Sequence, residues 1–215
     1  MRIPRLHVVT DDDVIARPDF ADRAVEVLQA ASDAIALHVR GPRTDGSALY
    51  RLVITIRNAL GDTAAGLVVN DRVDVALAAG LRGVHLGERS LSAVQARTVL
   101  PSPARIGCSV HDEESALEAG AHGADYVFVG AVHPTRSHPG VPGFGTDVAA
   151  DIGRRAGVPW IGIGGMTPDR CQEVVQAGGH GVAVLGGIWR AEDPIRAVQR
   201  YVSALDDTGR ARSDP

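Results

Sequence analysis

The sequence predicts a single-domain (β/α)8 TIM barrel, and three observations lead to this prediction. The 215 residues suffice for one domain with a substantial core, and this length lies near the lower limit of the fold. Short β-branched apolar runs alternate with segments rich in Ala, Leu and charged residues, which is typical of parallel strands joined by helices. Eight such pairs favour a closed barrel over an open sheet. We predict that the barrel covers residues 1–205 and that residues 206–215 form a disordered tail.

Each predicted strand is an apolar run too short for a helix, bounded by glycine or polar residues. The predicted strands are Leu6–Thr10, Ala34–Arg40, Gly66–Asp71, Gly83–Gly87, Arg105–Val110, Tyr126–Val132, Trp160–Gly165 and Gly181–Leu185. The predicted helices are Phe20–Ala31, Ser47–Leu60, Val73–Ala79, Leu91–Leu100, Glu113–Ala119, Thr146–Arg155, Pro168–Gln176 and Pro194–Leu205. One long connection, His133–Gly145, follows the sixth strand and suggests a binding loop or lid.

The composition disfavours several classes of protein. A formal net charge of −4 and an aromatic content of 4% argue against a nucleic-acid binder. Cys108 and Cys171 lack metal-ligand spacing, which favours a reduced cytosolic protein. No stretch approaches the roughly 20 apolar residues of a membrane helix. We therefore expect a cytoplasmic protein with a small-molecule partner and neither nucleic-acid nor membrane partners, and a homo-oligomer is left open.

Two consecutive strands end in glycine pairs, Gly164-Gly165 and Gly186-Gly187. Thr167-Pro168 then supplies a helix cap and a proline at the first helical position. The turns after the last two strands are where a (β/α)8 barrel usually holds a phosphate. The glycine pairs therefore predict a phosphate site, with plain tight turns as the alternative.

Other polar residues follow the strands at the end where this fold places its chemistry. Arg40 shares a strand face with His38 and can bind a carboxylate or phosphate, or pair with Asp71. Asp71, beside Asn70, can hold a divalent cation or cap the next helix. A loop histidine such as His133 titrates near neutrality and can transfer protons. Further polar candidates at this end are Ser109, His111, Thr135, Ser137 and His138.

Several motifs together resemble the thiamine phosphate synthase and TenI family, in the same order and from about Leu6 to about Tyr201. They are Val9-Thr10-Asp11, Val69-Asn70-Asp71-Arg72-Val73-Asp74-Val75-Ala76, Gly83-Val84-His85-Leu86-Gly87, Ile106-Gly107-Cys108-Ser109-Val110-His111, Ala124-Asp125-Tyr126-Val127, Ile163-Gly164-Gly165 and Gly181-Val182-Ala183-Val184. The resemblance implies a (β/α)8 barrel of thiamine biosynthesis that binds a thiazole phosphate. The family contains two activities. A synthase joins hydroxymethylpyrimidine pyrophosphate to thiazole phosphate with Mg2+-assisted loss of pyrophosphate, whereas a thiazole tautomerase aromatises a thiazole carboxylate phosphate by proton transfer and needs no cofactor.

The chain departs from the synthase pattern at three places. His38-Val39-Arg40-Gly41-Pro42 stands where the pattern reads Gln-Leu-Arg-Glu-Lys, and Ser90 stands at the second magnesium aspartate. Thr135-Arg136-Ser137-His138 also lacks the lysine of Thr-x-Thr-Lys. Because a pyrophosphate leaving group needs metal and cations where its charge develops, these departures favour the tautomerase.

In the tautomerase interpretation, Arg40 binds the thiazole carboxylate and His133 or His38 is the catalytic proton shuttle, although Ala131 replaces the TenI histidine. The substrate-binding set is Arg40, Asn70, Ser109, Thr135, Ser137, Gly164, Gly165, Gly186 and Gly187. The first alternative is a synthase that uses Asp71 for Mg2+ and Arg40 with Arg43 for pyrophosphate. A non-catalytic thiazole-phosphate-binding regulator and an unrelated sugar-phosphate barrel are further alternatives.

Overall fold

A computed structural model describes residues 2–61, 66–136, 140 and 142–210. Eight strands form one closed barrel in sequence order, and every neighbouring pair is parallel, including β8 with β1. The predicted (β/α)8 barrel is therefore confirmed. The strands are β1 Leu6–Val9, β2 Ile35–Val39, β3 Leu67–Asn70, β4 Gly83–Leu86, β5 Arg105–Val110, β6 Tyr126–Val129, β7 Trp160–Ile163 and β8 Gly181–Val184.

Helices surround the barrel, and two short ones were not predicted. The helices are α1 Asp12–Ile15, α2 Phe20–Gln29, α3 Gly46–Leu60, α4 Val73–Ala78, α5 Ala93–Val99, α6 Glu113–Ala121, α7 Gly145–Arg155, α8 Pro168–Gln176, α9 Gly186–Trp189 and α10 Pro194–Arg210. The unpredicted α1 and α9 follow β1 and β8 and have four residues each, too few to show helical periodicity. The last helix runs five residues past the predicted end at Leu205, and the rest of the predicted tail lies outside the described residues.

Local side-chain chemistry fixes where several helices start. The Thr167 side chain accepts a hydrogen bond from the N–H of Arg170, and Pro168 is the first helical residue of α8, as predicted. Ser92 with Gln95 and Asp112 with Ser115 form capping boxes at α5 and α6. These caps satisfy N–H groups that have no partner inside the helix.

A continuous apolar layer lies between the barrel and the helices. Trp189 of α9 is buried in it, stacks on Phe20 at 5.3 Å between ring centroids, and donates its Nε1–H to the Val9 carbonyl at 2.9 Å. The short helix after β8 is therefore anchored to the end of β1. None of the helices in the described part of the chain is both long and apolar enough to span a lipid bilayer.

Barrel closure between β8 and β1 leaves no room for a side chain at Gly181. A methyl group there would lie 1.9 Å from the Arg5 carbonyl oxygen, a backbone atom that cannot turn aside. We expect Gly181→Ala to lower the free energy of unfolding by about 3 kcal/mol or more, since overpacking against backbone forces the strands apart. Urea denaturation measures this change. The control Ser203→Ala, on the exposed face of α10, should stay within about 0.5 kcal/mol of the wild type, and equal stability of both variants would contradict the close approach.

Candidate active site

Arg40 lies at the carboxyl end of β2, where the backbone is held by Thr10. The buried Thr10 hydroxyl accepts from the Arg40 N–H at 2.8 Å and donates to the Arg40 carbonyl at 2.9 Å. Arg40 itself is partly buried. The ion pairs among the described residues do not include Arg40, so the predicted alternative of a pair with Asp71 is not formed. Burial, the neighbouring His38 and the Arg40 charge lower the pKa of the buried His85. This geometry leaves a cation available for an anionic ligand.

Arg43 is held at the rim by two acids of α1. Its guanidinium lies 3.2 Å from Asp12 Oδ2 and 3.4 Å from Asp13 Oδ1, and its side chain is 77% exposed. Arg43 is thus paired in this arrangement, whereas Arg40 is not. Exposed ion pairs of this kind are weak and can exchange for a ligand.

Asp71 is the one non-glycine residue among those described with a positive φ, 65°. Its Oδ1 accepts from the Gly87 N–H at 2.9 Å and from the Ser90 hydroxyl in a shorter contact. Helix α4 has no side-chain cap, so Asp71 does not serve as the predicted alternative, a helix cap. A strained backbone conformation costs on the order of 1–3 kcal/mol and is found mostly at functional sites. The conformation and both hydrogen bonds hold one exposed carboxylate at the mouth.

Ser90 therefore supplies a hydroxyl where the family resemblance leads one to expect a second carboxylate. The described residues contain no group of three or more His, Cys, Asp or Glu that could hold a metal ion by itself. Mg2+ is commonly bound by one or two carboxylates together with substrate phosphates. Since Oδ1 of Asp71 is occupied by its two donors, the residues present fit a Mg2+ ion held by Oδ2 together with phosphate oxygens of a ligand.

The two glycine pairs form adjacent turns at the ends of β7 and β8. Gly164 and Gly165 have φ values of 100° and 63°, a conformation that suits glycine. Gly186 and Gly187 open α9, so their N–H groups have no acceptor within the helix. A short helix after β8 is the usual place for phosphate in this fold, and the four glycines are thus brought together as the sequence predicts.

Tyr201 of α10 contacts both glycine turns, the one after β7 and the one after β8. Its hydroxyl is buried and donates to the Met166 carbonyl at 2.9 Å, in the loop after Gly165. A methyl group on Gly187 would lie 2.2 Å from the same hydroxyl oxygen. Tyr201 is not predicted from the sequence as part of the site, because its position in α10 looks like ordinary amphipathic packing.

Ser109 and His85 lie side by side on β5 and β4. The Ser109 hydroxyl oxygen is 3.0 Å from His85 Nε2, and the His85 ring stacks 4.0 Å from Phe128. His85 is 1% exposed and thus packs inside the barrel. Ser109 stays partly exposed and can contact a ligand.

His38 lies deeper than its predicted role as proton shuttle requires. The ring is fully buried, with Nε2 2.8 Å from His7 Nδ1 and Nδ1 3.0 Å from the Asn70 amide. Desolvation lowers the pKa of His38 to about 4. Burial and the neighbouring His38 also lower the pKa of His7 well below its ordinary value. Both nitrogens of His38 are thus engaged by other side chains of the barrel, which argues against proton transfer to a bound ligand. Asn70 lies between this interior pair and the mouth, with 8% of its surface exposed.

His133 follows β6, and its imidazole faces α8. Its Nε2 is buried without a hydrogen bond and lies 3.7 Å from Glu173 Oε2. Burial and the Arg170 charge lower the pKa of His133, while Glu173 opposes them. This placement is unfavourable for a proton shuttle at the mouth. Thr135 is partly buried in the same loop, whereas Ser137 and His138 lie outside the described residues.

His111 at the end of β5 is also engaged at the rim. Its Nδ1 contacts the Gly130 carbonyl at short distance, and its Nε2 lies 3.4 Å from Glu88 Oε1. Glu88, two residues before Ser90 in the sequence, is thus paired with His111.

These observations define a (β/α)8 barrel whose mouth carries Arg40, the Asp71 carboxylate and two glycine turns. Comparison with known proteins identifies the family. A family model described as Thiamine monophosphate synthase (TMP-TENI) matches residues 6–188. The chain belongs to this family.

Individual relatives agree with that assignment. A thiamine-phosphate synthase of Salinispora arenicola is 37% identical over 202 residues, which cover 94% of this chain and 97% of the relative. One of Methanoculleus marisnigri is 37% identical over 209 residues, covering 95% and 98%. The solved structure of a thiamine phosphate pyrophosphorylase from Pyrococcus furiosus superimposes with a TM-score of 0.80 at 29% identity, covering 95% of this chain and 96% of that one.

The contact between Gly187 and Tyr201 generates a test of the phosphate turns. We expect Gly187→Ala to weaken inorganic phosphate binding about tenfold, because the methyl group displaces the Tyr201 hydroxyl and shifts both turns. Gly186→Ala is the matched control, since its methyl group would meet only the Arg190 side chain at 3.6 Å. The double variant Gly187→Ala with Tyr201→Phe removes the clashing oxygen and should recover part of the affinity. Isothermal titration calorimetry measures each affinity, and equal values for the two glycine variants would contradict the argument.

The buried imidazoles predict acid sensitivity of the fold. The pKa of His38 falls from an ordinary 6.5 to about 4 on folding, so between these values the unfolded chain binds more protons than the folded one. Stability is therefore retained above about 6.5 and lost as the pH falls toward 4, by on the order of 3 kcal/mol for His38. His7 and His85, whose pKa values are also lowered, add to the effect. Thermal unfolding at pH 7 and pH 5 measures it. His38→Gln, which lacks the titrating group, should show a smaller difference between the two pH values, and an unchanged difference would count against the assignment.

Proposed function

We propose that this protein is a thiamine-phosphate synthase that joins hydroxymethylpyrimidine pyrophosphate to thiazole phosphate and releases pyrophosphate. The observation that carries the proposal is the match to proteins of that name over nearly the whole of both chains. The proposal replaces the tautomerase as the preferred interpretation of the sequence.

The site supports a division of the two anions between two parts of the mouth. The glycine turns at Gly164-Gly165 and Gly186-Gly187 hold the thiazole phosphate through main-chain N–H groups. Arg40 and Asp71 lie at the ends of β2 and β3, away from these turns, and serve the pyrophosphate. Ser109 and Asn70 line the mouth between them and orient the substrates. Thr135 and Ser137, from the loop after β6, remain proposed contacts.

The bond from the pyrimidine methylene carbon to the pyrophosphate oxygen breaks, and the thiazole nitrogen forms a bond to that carbon. Negative charge develops on the departing pyrophosphate oxygen, so catalysis needs positive charge at that point. Arg40 supplies a fixed charge with two parallel N–H donors. Asp71 would hold Mg2+ together with phosphate oxygens of the substrate, and the ion would supply Lewis-acid stabilisation of the leaving group.

The cations of this site are all arginines, because the 215 residues contain 22 Lys and Arg in total and none is lysine. The lysines that the synthase pattern would place after Arg40 and in the loop after β6 are thus not replaced by lysines elsewhere. Arg43 and Arg136 are the arginines nearest to those two positions in the sequence. The lack of lysine also excludes a Schiff-base mechanism, which disfavours a sugar-phosphate barrel that works through a lysine amine.

The tautomerase interpretation receives less support. It needs an imidazole that faces the ligand, whereas His38 is fully buried and His133 faces Glu173. The related proteins of Salinispora arenicola and Methanoculleus marisnigri are likewise named thiamine-phosphate synthases, which favours the synthase.

Pyrophosphate release by the purified protein with both substrates and Mg2+ tests the proposal. We expect turnover that depends on both substrates and on Mg2+. Arg40→Met and Asp71→Asn should each lower kcat/KM by about 100-fold, because each removes a charge while keeping the side-chain size. Arg82→Met, an exposed arginine at the opposite end of the barrel, is the matched control and should retain wild-type turnover.

Three results would contradict the synthase. Binding of thiazole phosphate without turnover would identify a regulator, and aromatisation of thiazole carboxylate phosphate without pyrophosphate release would identify a tautomerase. Full activity of Arg40→Met would remove Arg40 from the site.

A further inference from the structure

A chain of hydrogen bonds crosses the barrel interior from its amino-terminal end to the mouth. His7 Nε2 lies 3.0 Å from the Pro4 carbonyl oxygen, and His7 Nδ1 lies 2.8 Å from His38 Nε2. His38 Nδ1 then lies 3.0 Å from the side-chain amide of Asn70, with Oδ1 as the facing atom. The three residues are 1%, 0% and 8% exposed, so water does not supply alternative partners to the two rings.

The carbonyl of Pro4 sets the direction of this chain. A carbonyl oxygen only accepts hydrogen bonds, so His7 carries its proton on Nε2. A neutral His7 then has a lone pair on Nδ1, which requires His38 to donate from Nε2. A neutral His38 in turn has a lone pair on Nδ1, facing Asn70.

Both rings are neutral near pH 7. Desolvation lowers the pKa of His38 to about 4, and burial together with the neighbouring His38 lowers the pKa of His7 well below its ordinary value. The rings that contact the pair are His85, Tyr126 and Phe128, with centroid separations between 5.1 and 5.4 Å from His7 or His38. A coulombic contribution from His180 also lowers the pKa of His7, and the salt bridges of the described residues do not include either ring.

Asn70 must present a hydrogen-bond donor to the lone pair on His38 Nδ1. Amide oxygen and nitrogen have nearly the same shape, so the hydrogen-bond network decides which of them faces the ring. An oxygen facing Nδ1 would oppose two lone pairs, whereas the NH2 group donates to it. The other amide atom of Asn70 has no partner among the described residues and lies on the side of the mouth.

We propose that His7 and His38 are positioning residues that fix the Asn70 amide with its NH2 group toward His38 and its carbonyl oxygen toward the mouth. The mouth consequently offers a hydrogen-bond acceptor at Asn70 and selects ligands that present an N–H or O–H donor there. The orientation follows from the barrel interior alone. Its effect on turnover rests on the proposed synthase activity.

The first test reads the protonation of the rings in the unmodified protein. Long-range 1H–15N correlation spectra at pH 7 should show His7 and His38 as neutral rings with the proton on Nε2. An Nδ1–H tautomer or an imidazolium at His38 would overturn the proposal.

The second test removes the acceptor that holds His38. His7→Phe keeps an aromatic ring but leaves His38 Nε2 without a partner, so we expect the proton to move to Nδ1 and the Asn70 amide to turn over. The same spectra should then show His38 as the Nδ1–H tautomer, a change that a purely structural role of His7 would not produce. The NH2 group of Asn70, a donor, would then face the mouth in place of the carbonyl oxygen, which is an acceptor. We therefore expect KM for hydroxymethylpyrimidine pyrophosphate to rise about tenfold while kcat changes less.

His180→Phe is the matched control, because it removes another histidine-to-carbonyl bond, 2.8 Å long to Ile3, at the same end of the barrel. This variant should leave the His38 tautomer and KM unchanged. An unchanged His38 tautomer in folded His7→Phe would overturn the proposal. If His7→Phe does not fold, the spectrum of the unmodified protein still decides it. A wild-type protein without synthase turnover but with the expected tautomers would refute the proposed function and support the positioning chain.

Discussion

The interior of an eight-stranded barrel is too narrow for water and is filled by the side chains of its own strands, which is the constraint on which this structure depends. Here that filling includes three imidazoles, His7, His38 and His85, stacked with Tyr126 and Phe128. Polar groups in such a place need partners, since an unpaired buried donor costs on the order of 1–3 kcal/mol. His7 and His38 bond to each other, His7 also to the Pro4 carbonyl and His38 also to Asn70, whereas His85 contacts Ser109 through Nε2 and its Nδ1 has no partner among the described residues. The interior thus sets the orientation of polar groups at the mouth.

The sequence predicts the fold well because strand length, strand count and glycine placement are local properties. Each apolar run ended within a few residues of the observed strand, and the glycine pairs marked the turns after β7 and β8. The depth of a side chain inside the barrel is not a local property. His38 and Arg40 lie two residues apart on one strand face, yet His38 is fully buried and Arg40 reaches the mouth. The spacing of two residues in the sequence shows that they share one face of a strand. The tilt of all eight strands decides how deep in the barrel each of them lies.

Long-range partners explain the other differences between prediction and structure. Asp71 looked equally suited to a metal and to a helix cap, and only the approach of Gly87 and Ser90 from the next loop shows which way its carboxylate is held. Tyr201 lies 14 residues beyond Gly187 in the sequence, and only the packing of α10 reveals that it braces the glycine turns. Such contacts depend on tertiary structure, and no local sequence pattern predicts them.

The histidines and arginines of this mouth have separate tasks, and this separation favours anion chemistry over proton transfer. Among the described residues near the mouth, His38, His85, His111 and His133 are each buried, hydrogen-bonded or turned toward an acid. Arg40 forms no ion pair there, and the four glycines present main-chain N–H groups with no helical acceptor or in a turn. A reaction that separates a pyrophosphate anion uses fixed positive charge and amide donors, whereas an isomerisation by proton transfer uses an accessible base. The fold leaves Arg40 and the main-chain N–H groups of the glycine turns available, and these are the groups that release of pyrophosphate requires.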